Sequence, residues 1–572
     1  MSSPASTPAK HEVHALQSDM APSFEHLLEA VAPLLTEHLA QSDAGSHAGA
    51  DAKITREWDA DSVEALLQAL DQPAQARPAQ PTQALEQAVS GLLQYSVPTA
   101  SARFLDKLYA GTDAVGCMSE LVAAVLNTNA HTFQVAPAII AAELLMLQRV
   151  RTLLGWPVPL RPSPADGTTA TASAARQAHP RLHSVQDGDG IMCPGGSFAN
   201  MLAVYVARAR AVPGVAQHGM AAAAQPLAMF LSSQAHYSAT RAAAMLGLGT
   251  ASVVKVAVDS AGAMLPAALD EAISAAVAAG QRPFCVIATA GTTVLGAFDP
   301  FSRIADVVDT WDARLAGAAV DLQVLEHSQP ACAASAWPRR QLWLHVDGAL
   351  GGPAIFLPEG HAKAAEVDVL GLARADSFVI NPHKLLGVPI QCTVLVNKGI
   401  GVQRHACASS AAYLFHDHEL AELDVGDRTL MCGRRADAVK LYLAWQYWGT
   451  AGLQARVLRA LELAAYMQQR IEEHPALCLA ACRTWTNTLF WYVPRTDRGT
   501  CKPSAAWGTA VADIAARMRA SGKFLLEHQP LTAQAGLPRA FRFVVASPRV
   551  TKALIDELIT HIVELGDRLE EL

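Results

Sequence analysis

The chain has 572 residues, of which 51% are hydrophobic and 17% charged, and its formal net charge at pH 7 is −8. This length exceeds one ordinary domain and predicts two or three. The modest negative charge supplies no basic stripe, so no nucleic-acid partner is expected.

Membrane insertion, secretion and metal binding are not expected either. The longest apolar stretch, Val135 to Leu147, is about half as long as a membrane span and contains Glu143. The first residues lack the basic segment and apolar core of a signal peptide, which predicts a soluble, cytoplasmic protein. The ten cysteines include no Cys-x-x-Cys pair and no Cys/His cluster at zinc spacing, so no metal site is predicted.

The N-terminal part differs in composition from the rest. Residues 1–82 are predicted to be an extension with disordered parts, because they contain Ser/Pro/Ala-rich and Pro/Gln-rich stretches. Residues 83–156 form a mainly helical pattern, interrupted by the polar cluster Asn127-Thr-Asn129. This cluster is either a loop with local side-chain caps or the rim of a substrate site, and the pattern alone leaves both open.

Strands and helices alternate from about residue 190 to residue 400. Such alternation predicts an α/β fold with a mostly parallel sheet and right-handed crossovers. The predicted strands are Ala228–Ser232, Ser252–Val258, Phe284–Thr289, Leu342–Val346 and Ser377–Ile380.

A polar residue follows the end of each of four predicted strands. They are His236, the pair Thr292 and Thr293, Asp347, and Lys384. In open parallel sheets ligands bind beyond the carboxyl ends of the strands, so we expect these groups to converge. Convergence favours a functional role for Lys384 over the alternative, a surface turn residue.

A glycine-rich turn precedes one of the helices. The run from Gly195 to Asn200 leads directly into a helical pattern at Met201 to Arg210. Such a turn points backbone N–H groups and the positive end of the helix dipole at an anion. Taken singly it is a weak signal, because an ordinary turn would have the same composition.

Together these groups fit pyridoxal phosphate. A lysine among apolar neighbours has a depressed pKa, and its free amine can form a Schiff base with an aldehyde. Lys384 would hold the aldehyde, the Gly195–Asn200 turn the phosphate, and Asp347 the protonated pyridine nitrogen.

The chain resembles the group II pyridoxal-phosphate decarboxylases, from about Ser101 to the C-terminus. It is most similar to the glutamate and cysteine-sulfinate branch, through Asn127-Thr-Asn129, Gly190-Ile-x-x-Pro-Gly-Gly196 and Tyr413-Leu-Phe. The shared motifs are Asn381-Pro-His383-Lys384, Trp343-Leu-His-Val-Asp347, the run from Ala288 to Pro300, and Asp424-Val-Gly-Asp427 with Cys432-Gly-Arg.

The resemblance implies a role for each matching position. Lys384 forms the Schiff base, His236 stacks on the cofactor ring, Tyr413 on a mobile loop donates a proton to Cα, and Arg542 binds a substrate carboxylate. Lys107 and Asn129 are the other substrate-binding candidates. The implied cofactor-binding set is Gly196, Ser197, Ala199, His236, Thr293, Asp347, Ala349, Asn381, His383 and Lys384.

Several positions depart from the family pattern. Ala199 stands where relatives usually have serine, and Ser197 is the candidate to compensate. Gly348 replaces an alanine. Lys107 replaces a glutamine of the glutamate branch and adds a cation that would favour an acidic substrate, whereas Asn129 matches the glutamate enzymes.

The resemblance implies the aminotransferase-like fold type I in a homodimer. The predicted divisions are residues 1–82, a dimer-interface segment at 83–156, a large cofactor domain at 157–430 and a small α+β domain at 431–572. The expected reaction is α-decarboxylation of an acidic L-amino acid, glutamate first and aspartate or cysteine sulfinate second. The alternatives are an aromatic or diamino-acid decarboxylase, against which the charges of Lys107 and Arg542 argue, and an inactive scaffold.

Overall fold

The computed structural model describes residues 24–44, 59–70, 80–156, 189–317, 340–409, 421–500, 502–531 and 536–571. The chain divides into two compact units, which are described separately. The smaller unit comprises residues 1–104 and 516–525, and the larger unit comprises residues 105–515 and 526–572. The divisions predicted at residues 82, 156 and 430 stay predictions.

The smaller unit contains three helices from the N-terminal part of the chain. They are α1 (Phe24–Ala44), α2 (Ala60–Leu70) and α3 (Pro81–Tyr95). Helix α3 packs against both of the others. It begins at Pro81, where proline's fixed φ suits the first helical turn. The N-terminal extension is therefore helical in its described parts, and the disorder predicted for other parts of it lies outside the described residues.

The larger unit is built around a seven-stranded sheet. Its strands are β2 (Asp189–Cys193), β3 (Leu227–Ser232), β4 (Val253–Val256), β5 (Arg282–Thr289), β6 (Trp343–Gly348), β7 (Ser377–Ile380) and β8 (Thr393–Asn397). The order is β2-β8-β7-β6-β5-β3-β4. Strands β4, β3, β5, β6 and β7 are mutually parallel, and β8 is antiparallel to both of its neighbours. The mostly parallel sheet predicted from the alternation is confirmed.

Mostly apolar sequence explains why these strands lie in the centre. Every residue of β3 and β6 is buried, as expected for a parallel sheet covered by helices on both faces. Phe230, Phe284, Trp343 and Phe378 are among the largest fully buried side chains. Burying a side chain of this kind stabilises the fold by ~2 kcal/mol or more.

Helices accompany the strands through the larger unit. They are α4 (Ala114–Leu126), α5 (Pro137–Leu153), α6 (Gly196–Ala211), α7 (Val215–His218), α8 (Ser238–Met245), α9 (Pro266–Ala278), α10 (Phe301–Gly317), α11 (Ala362–Glu366), α12 (Val402–Cys407), α13 (Ala438–Glu473), α14 (Ala505–Ser521, which continues into the smaller unit) and α15 (Lys552–Leu569). Short 3₁₀ turns lie at Gly219–Ala222, Thr250–Ser252, Gly352–Phe356, Val369–Arg374, Ala421–Leu423, Val425–Arg428 and Arg495–Asp497.

A second, antiparallel sheet contains residues from the C-terminal part. The strands are β1 (Phe104–Leu105), β9 (Leu477–Leu479), β10 (Asn487–Tyr492), β11 (Leu525–Gln529) and β12 (Ala540–Val544). Four of them follow one another in the order β11-β12-β10-β9. In the pairing of β11 with β12, Glu527 lies directly opposite Arg542.

Candidate active site

The four predicted polar groups lie at one edge of the large sheet. Strands β3, β5, β6 and β7 are consecutive neighbours, and they end at Ser232, Thr289, Gly348 and Ile380. Because parallel strands share their direction, their carboxyl ends meet along this edge. The sheet therefore brings together the segments that carry His236, Thr292 and Thr293, Asp347 and Lys384, as the sequence predicted.

Lys384 lies in the turn after β7. Its backbone N–H donates to the carbonyl oxygen of Asn381 at 3.0 Å, so the Asn-Pro segment fixes where the lysine leaves the strand. Burial lowers the pKa of Lys384, the carboxylate of Asp347 opposes this shift, and the guanidinium of Arg542 adds to it. The lowered pKa favours the neutral, nucleophilic amine.

Asp347 is held by two N–H donors. The side-chain amide of Asn200, on the first turns of α6, donates to Oδ2 at 2.7 Å, and the backbone N–H of Ala349 donates to Oδ1 at 3.1 Å. A carboxylate offers about four acceptor directions, and these donors use two of them. One side of a buried carboxylate is thus fixed and the other can bind a further proton donor.

A line of hydrogen bonds leads to Asp347 from within the sheet. The Trp343 indole N–H donates to Ser377 Oγ at 2.8 Å, Ser377 Oγ lies 2.8 Å from His345 Nδ1, and His345 Nε2 lies 3.1 Å from Asn200 Oδ1. All five residues are buried, and we call them the Asp347 network. Strand pairing places His345 directly opposite Ser377.

The Asp347 end of the network fixes the tautomer of His345. The amide N–H of Asn200 donates to Asp347, so Asn200 Oδ1 accepts from His345 Nε2, and in a neutral ring Nδ1 then accepts from the Ser377 hydroxyl. His345 is therefore the neutral tautomer with its proton on Nε2. Burial lowers the pKa of His345 to about 4, Asp347 opposes this shift, and the ring is neutral at pH 7.

His236 is joined to the same network. Asn200 Nδ2 also donates to Ser238 Oγ at 3.0 Å, which leaves the Ser238 hydroxyl proton for His236 Nδ1, 2.9 Å away. Burial lowers the pKa of His236, Asp347 opposes this, and Lys384 and Arg241 add to it. The ring is therefore neutral and its Nδ1 is an acceptor.

The glycine turn forms a cradle beside this group. Gly195 has φ 115°, a conformation that favours glycine, and it precedes the first residue of α6. A Cβ on Gly196 would lie 2.8 Å from Asn381 Nδ2 and 3.4 Å from the Ala349 Cβ. The backbone of Gly196 thus passes close to two predicted cofactor-binding residues, and the N–H groups of this first helical turn have no intrahelical acceptor.

Ser197 and Ala199 occupy different environments on α6. Ser197 is exposed in the first helical turn, while Ala199 is fully buried and its backbone N–H donates to the Gly195 carbonyl oxygen at 3.1 Å. Compensation of the missing Ala199 hydroxyl by Ser197 stays a prediction.

His383 adjoins Lys384 and is also neutral. Its Nδ1 lies 2.6 Å from the Cys392 carbonyl oxygen and 3.2 Å from the Cys392 backbone nitrogen. Burial lowers the pKa of His383 to about 4, and the Cys392 carbonyl partly opposes that shift.

Arg542 connects the second sheet to the site. Its two terminal nitrogens donate to the carbonyl oxygens of Thr293 at 3.1 Å and Asp106 at 3.3 Å. The guanidinium is buried, its pKa is lowered by burial, and the carboxylates of Glu527 and Asp106 oppose that shift.

Lys107 is engaged in ion pairs. Its ammonium nitrogen lies 2.6 Å from Asp106 Oδ2 and 3.1 Å from Glu527 Oε2. The sequence predicted Lys107 as an additional cation for the substrate, and the structure adds two carboxylates as its partners.

Asn129 makes its side-chain hydrogen bonds to the backbone of Cys432 and Arg434. Its Nδ2 donates to the Cys432 carbonyl oxygen at 3.1 Å, and its Oδ1 accepts from the Arg434 backbone N–H at 2.8 Å. Asn129 and Arg434 border a cavity of about 590 Å³. Tyr413 lies outside the described residues.

Comparisons with known proteins identify the family. The model of the pyridoxal-dependent decarboxylase conserved domain matches residues 64–493. The chain belongs to this family. It is 34% identical to the cysteine sulfinic acid decarboxylase of Rattus norvegicus, over 88% of this chain and 90% of the relative. It is 33% identical to the acidic amino acid decarboxylase GADL1 of Xenopus tropicalis, over 85% and 83%.

A solved structure agrees with this membership. The crystal structure of mouse CSAD superimposes with a TM-score of 0.77 and 31% identity, covering 95% of this chain and 98% of the other. The group II resemblance and the aminotransferase-like fold type I are thereby confirmed. The protein is a pyridoxal-phosphate-dependent amino acid decarboxylase.

The residues of this decarboxylase fit its cofactor. The glycine cradle at the start of α6 suits a phosphate, the buried Asp347 suits a protonated ring nitrogen, and the amine of Lys384 suits an aldehyde. Across the described residues no group of three or more His, Cys, Asp or Glu side chains could hold a metal ion. None of the described helices is both long and apolar enough to cross a membrane.

Sequence reasoning missed most of the Asp347 network and both carboxylates beside Lys107. His345 had a usable signal, because it lies two residues before Asp347 on the same strand and so faces the same side of the sheet. Ser238 and Ser377 gave no comparable signal. Glu527 is 420 residues from Lys107, so only the fold brings them together.

Proposed function

We propose that this enzyme removes the α-carboxyl group of an acidic L-amino acid. The observation that carries the proposal is Arg542, a buried guanidinium that affects the pKa of Lys384 and can bind a substrate carboxylate. The names of the relatives support the same substrate class: one is a cysteine sulfinic acid decarboxylase and another an acidic amino acid decarboxylase.

In this proposal the strand-edge residues hold the cofactor. Lys384 would bind its aldehyde carbon, Asp347 would hold the ring nitrogen, and neutral His236 would lie against the ring. The turn containing Gly196, Ser197 and Ala199 receives the phosphate. Further lining comes from Thr293, Ala349, Asn381 and His383.

When bound, pyridoxal phosphate supplies a ring that accepts the electrons released as carbon dioxide leaves Cα. Asp347 holds a proton at the ring nitrogen, and the hydrogen bonds of Asn200 and Ala349 keep the carboxylate in place for that task. Arg542 orients a substrate carboxylate. The resemblance assigns the return of a proton to Cα to Tyr413, and this role stays a prediction.

The length of the acid is a finer question. The sequence places glutamate first, with aspartate and cysteine sulfinate second, and the relatives make cysteine sulfinate an equal first substrate to test. All three carry an anionic group one or two methylenes beyond Cα, so their relative kcat/KM reports the depth of the pocket.

An aromatic or diamino acid is the second candidate. The sequence argument against a cationic substrate used the charges of Lys107 and Arg542. Asp106 and Glu527 lie beside Lys107, so the local charges balance and this argument loses its force. Arg542 supports a substrate with a carboxylate, and the names of the relatives support an acidic one.

We also infer that the enzyme acts as a homodimer through α4. Met118, Val122 and Val125 are exposed at helical spacing along this helix, and Leu126 extends the apolar face. A second copy of the chain would bury it. Light scattering should give a dimer mass, and Val122→Glu with Val125→Glu should shift it toward the monomer.

The test of the function is a substrate panel. The purified enzyme, saturated with pyridoxal phosphate, is incubated with glutamate, aspartate, cysteine sulfinate, 2,4-diaminobutyrate or tryptophan while released carbon dioxide is trapped. Release from one of the three acids with no release from the other two amino acids is the expected result. Release only from diaminobutyrate or tryptophan would contradict it, and a protein that binds no cofactor by visible absorbance would support the scaffold alternative.

A further inference from the structure

Four charged residues, one of which is Arg542, form a compact group at the β11–β12 pair. Lys107 contacts the carboxylates of Asp106 and Glu527, and Glu527 lies opposite Arg542 in the β11–β12 pairing. We call Asp106, Lys107, Glu527 and Arg542 the Lys107 cluster. It contains two cations and two carboxylates, so its formal charge is zero.

The Lys107 cluster adjoins the lysine that binds the cofactor. Arg542 contributes to the lowered pKa of Lys384, and Glu527 opposes the lowering of the pKa of Arg542. Arg542 also donates to the Thr293 carbonyl oxygen, directly after β5. A charge change at Glu527 is therefore felt where a substrate carboxylate binds.

The two cations of this cluster have different kinds of partner. Lys107 is paired with two carboxylates, whereas the side-chain hydrogen bonds of Arg542 go to backbone carbonyl oxygens. Arg542 Nε is buried and has no hydrogen-bond partner among the described residues. Arg542 therefore has no carboxylate partner to lose when it binds one carboxylate of a substrate. Lys107 already has two such partners, which compete with a second carboxylate of the substrate.

We propose that Glu527 is a specificity-determining residue that occupies Lys107 and must be displaced before Lys107 can bind the side-chain anion of a substrate. This inference rests on the proposed acidic substrate. Glu527 occupies the place that a substrate anion would need.

The exposure of the pair permits this exchange. The side chains of Lys107 and Glu527 are 49% and 28% exposed, so the Glu527 carboxylate can turn into solvent at little cost. Asp106, at 12% exposure, stays with the ammonium group. The pKa of Lys107 is raised, because both carboxylates together outweigh burial, so the ammonium stays charged throughout.

The test compares binding of a dicarboxylate and a monocarboxylate. Calorimetric titration of the holoenzyme with glutarate and with pentanoate gives both affinities, and steady-state kinetics give KM and kcat for the acid that is turned over. In Glu527→Gln we expect glutarate to bind at least about threefold more tightly and KM to fall by a similar factor. Pentanoate affinity and kcat should stay within about twofold.

Two further variants separate a direct role from a general charge effect. Lys107→Met with Glu527→Gln should bind glutarate at least about threefold more weakly than Glu527→Gln alone. Glu366→Gln removes a carboxylate paired with Lys363 elsewhere on the surface and should change neither ligand's affinity.

Equal glutarate affinity in the single and double variants, or an equal gain for pentanoate, would overturn the role of Glu527. The proposed function fails separately, if wild type releases carbon dioxide from no acid in the panel while the glutarate result still holds.

Discussion

The Asp347 network and the Lys107 cluster stabilise their polar groups in opposite ways. The network is buried and contains one carboxylate, toward which neutral donors all point. The cluster balances four charges, two of them on side chains more than a quarter exposed. A buried array of directed hydrogen bonds tolerates little change, whereas partly solvated ion pairs can be exchanged at low cost.

This difference assigns the two regions different tasks. The Asp347 network serves the cofactor, which is the same in every turnover, so rigidity is an advantage. In the proposed function the Lys107 cluster would bind the part of the substrate that varies, so exchangeable partners would allow selectivity to change without disturbing the chemistry.

Lys384→Ala should have the largest effect. Removing the amine removes the attachment of the cofactor aldehyde, and kcat should fall by at least about a thousandfold. The visible absorbance of the attached cofactor should disappear. Lys398→Ala, at a lysine near the end of β8 that donates to the Ala373 carbonyl oxygen, is the matched control and should keep both. Activity within tenfold of wild type in Lys384→Ala would contradict the assignment.

Asp347→Asn should rank second. The neutral amide no longer stabilises a proton at the ring nitrogen, and its own N–H₂ group would face the donors of Asn200 and Ala349. We expect kcat to fall by about a hundredfold or more and cofactor affinity to weaken, measured by absorbance titration. Asn200→Asp places a second carboxylate beside the first and should also weaken cofactor binding. Unchanged cofactor affinity in both variants would show that Asp347 does not bind the cofactor.

His345 links the network to pH. Its folded-state pKa of about 4 lies below the ordinary value of 6.5. Between pH 6.5 and pH 4 the imidazole is therefore protonated in the unfolded chain and neutral in the folded protein. The free energy of unfolding therefore keeps its full value above pH 6.5 and decreases as the pH falls toward 4, by roughly 1 kcal/mol per pH unit. His383 has the same sign and window.

His345→Asn should therefore flatten the acid side of the stability profile. The midpoint of urea unfolding, measured from pH 7 to pH 5, should fall less steeply in the variant than in wild type. At pH 7 the variant should be less stable by about 1–3 kcal/mol, because Asn200 and Ser377 lose their partner. Parallel profiles for the two proteins would show that His345 is not the titrating group.

The strand-edge site could be predicted because its signals are local. Apolar runs mark β3, β5, β6 and β7, and each is followed within a few residues by a polar group. The rule that parallel strands end together then places His236, Asp347 and Lys384 near one another without further information. The family motifs lie on the same segments.

The remaining contacts depend on tertiary packing that no local pattern encodes. Asn200 donates to both Asp347 and Ser238 only because the packing of α6 against the sheet places its side chain between them. Lys107 and Glu527 are 420 residues apart in the sequence, and only the fold brings their side chains together. From sequence alone Lys107 was an unpaired cation, and the inference about substrate charge drawn from it was correspondingly too strong.

Lys107→Met should produce the smallest effect and the one most sensitive to salt. Removing the ammonium leaves Asp106 and Glu527 uncompensated beside Arg542, so an acidic substrate meets two like charges. We expect KM for the preferred acid to rise by about threefold, with kcat unchanged. At 0.5 M salt the increase should shrink, because the Debye length falls to a few ångströms and these side chains are partly exposed. A KM effect that persists at high salt would mean that the effect of Lys107 does not come from partly solvated ion pairs, and the exchangeable character of the cluster would be wrong.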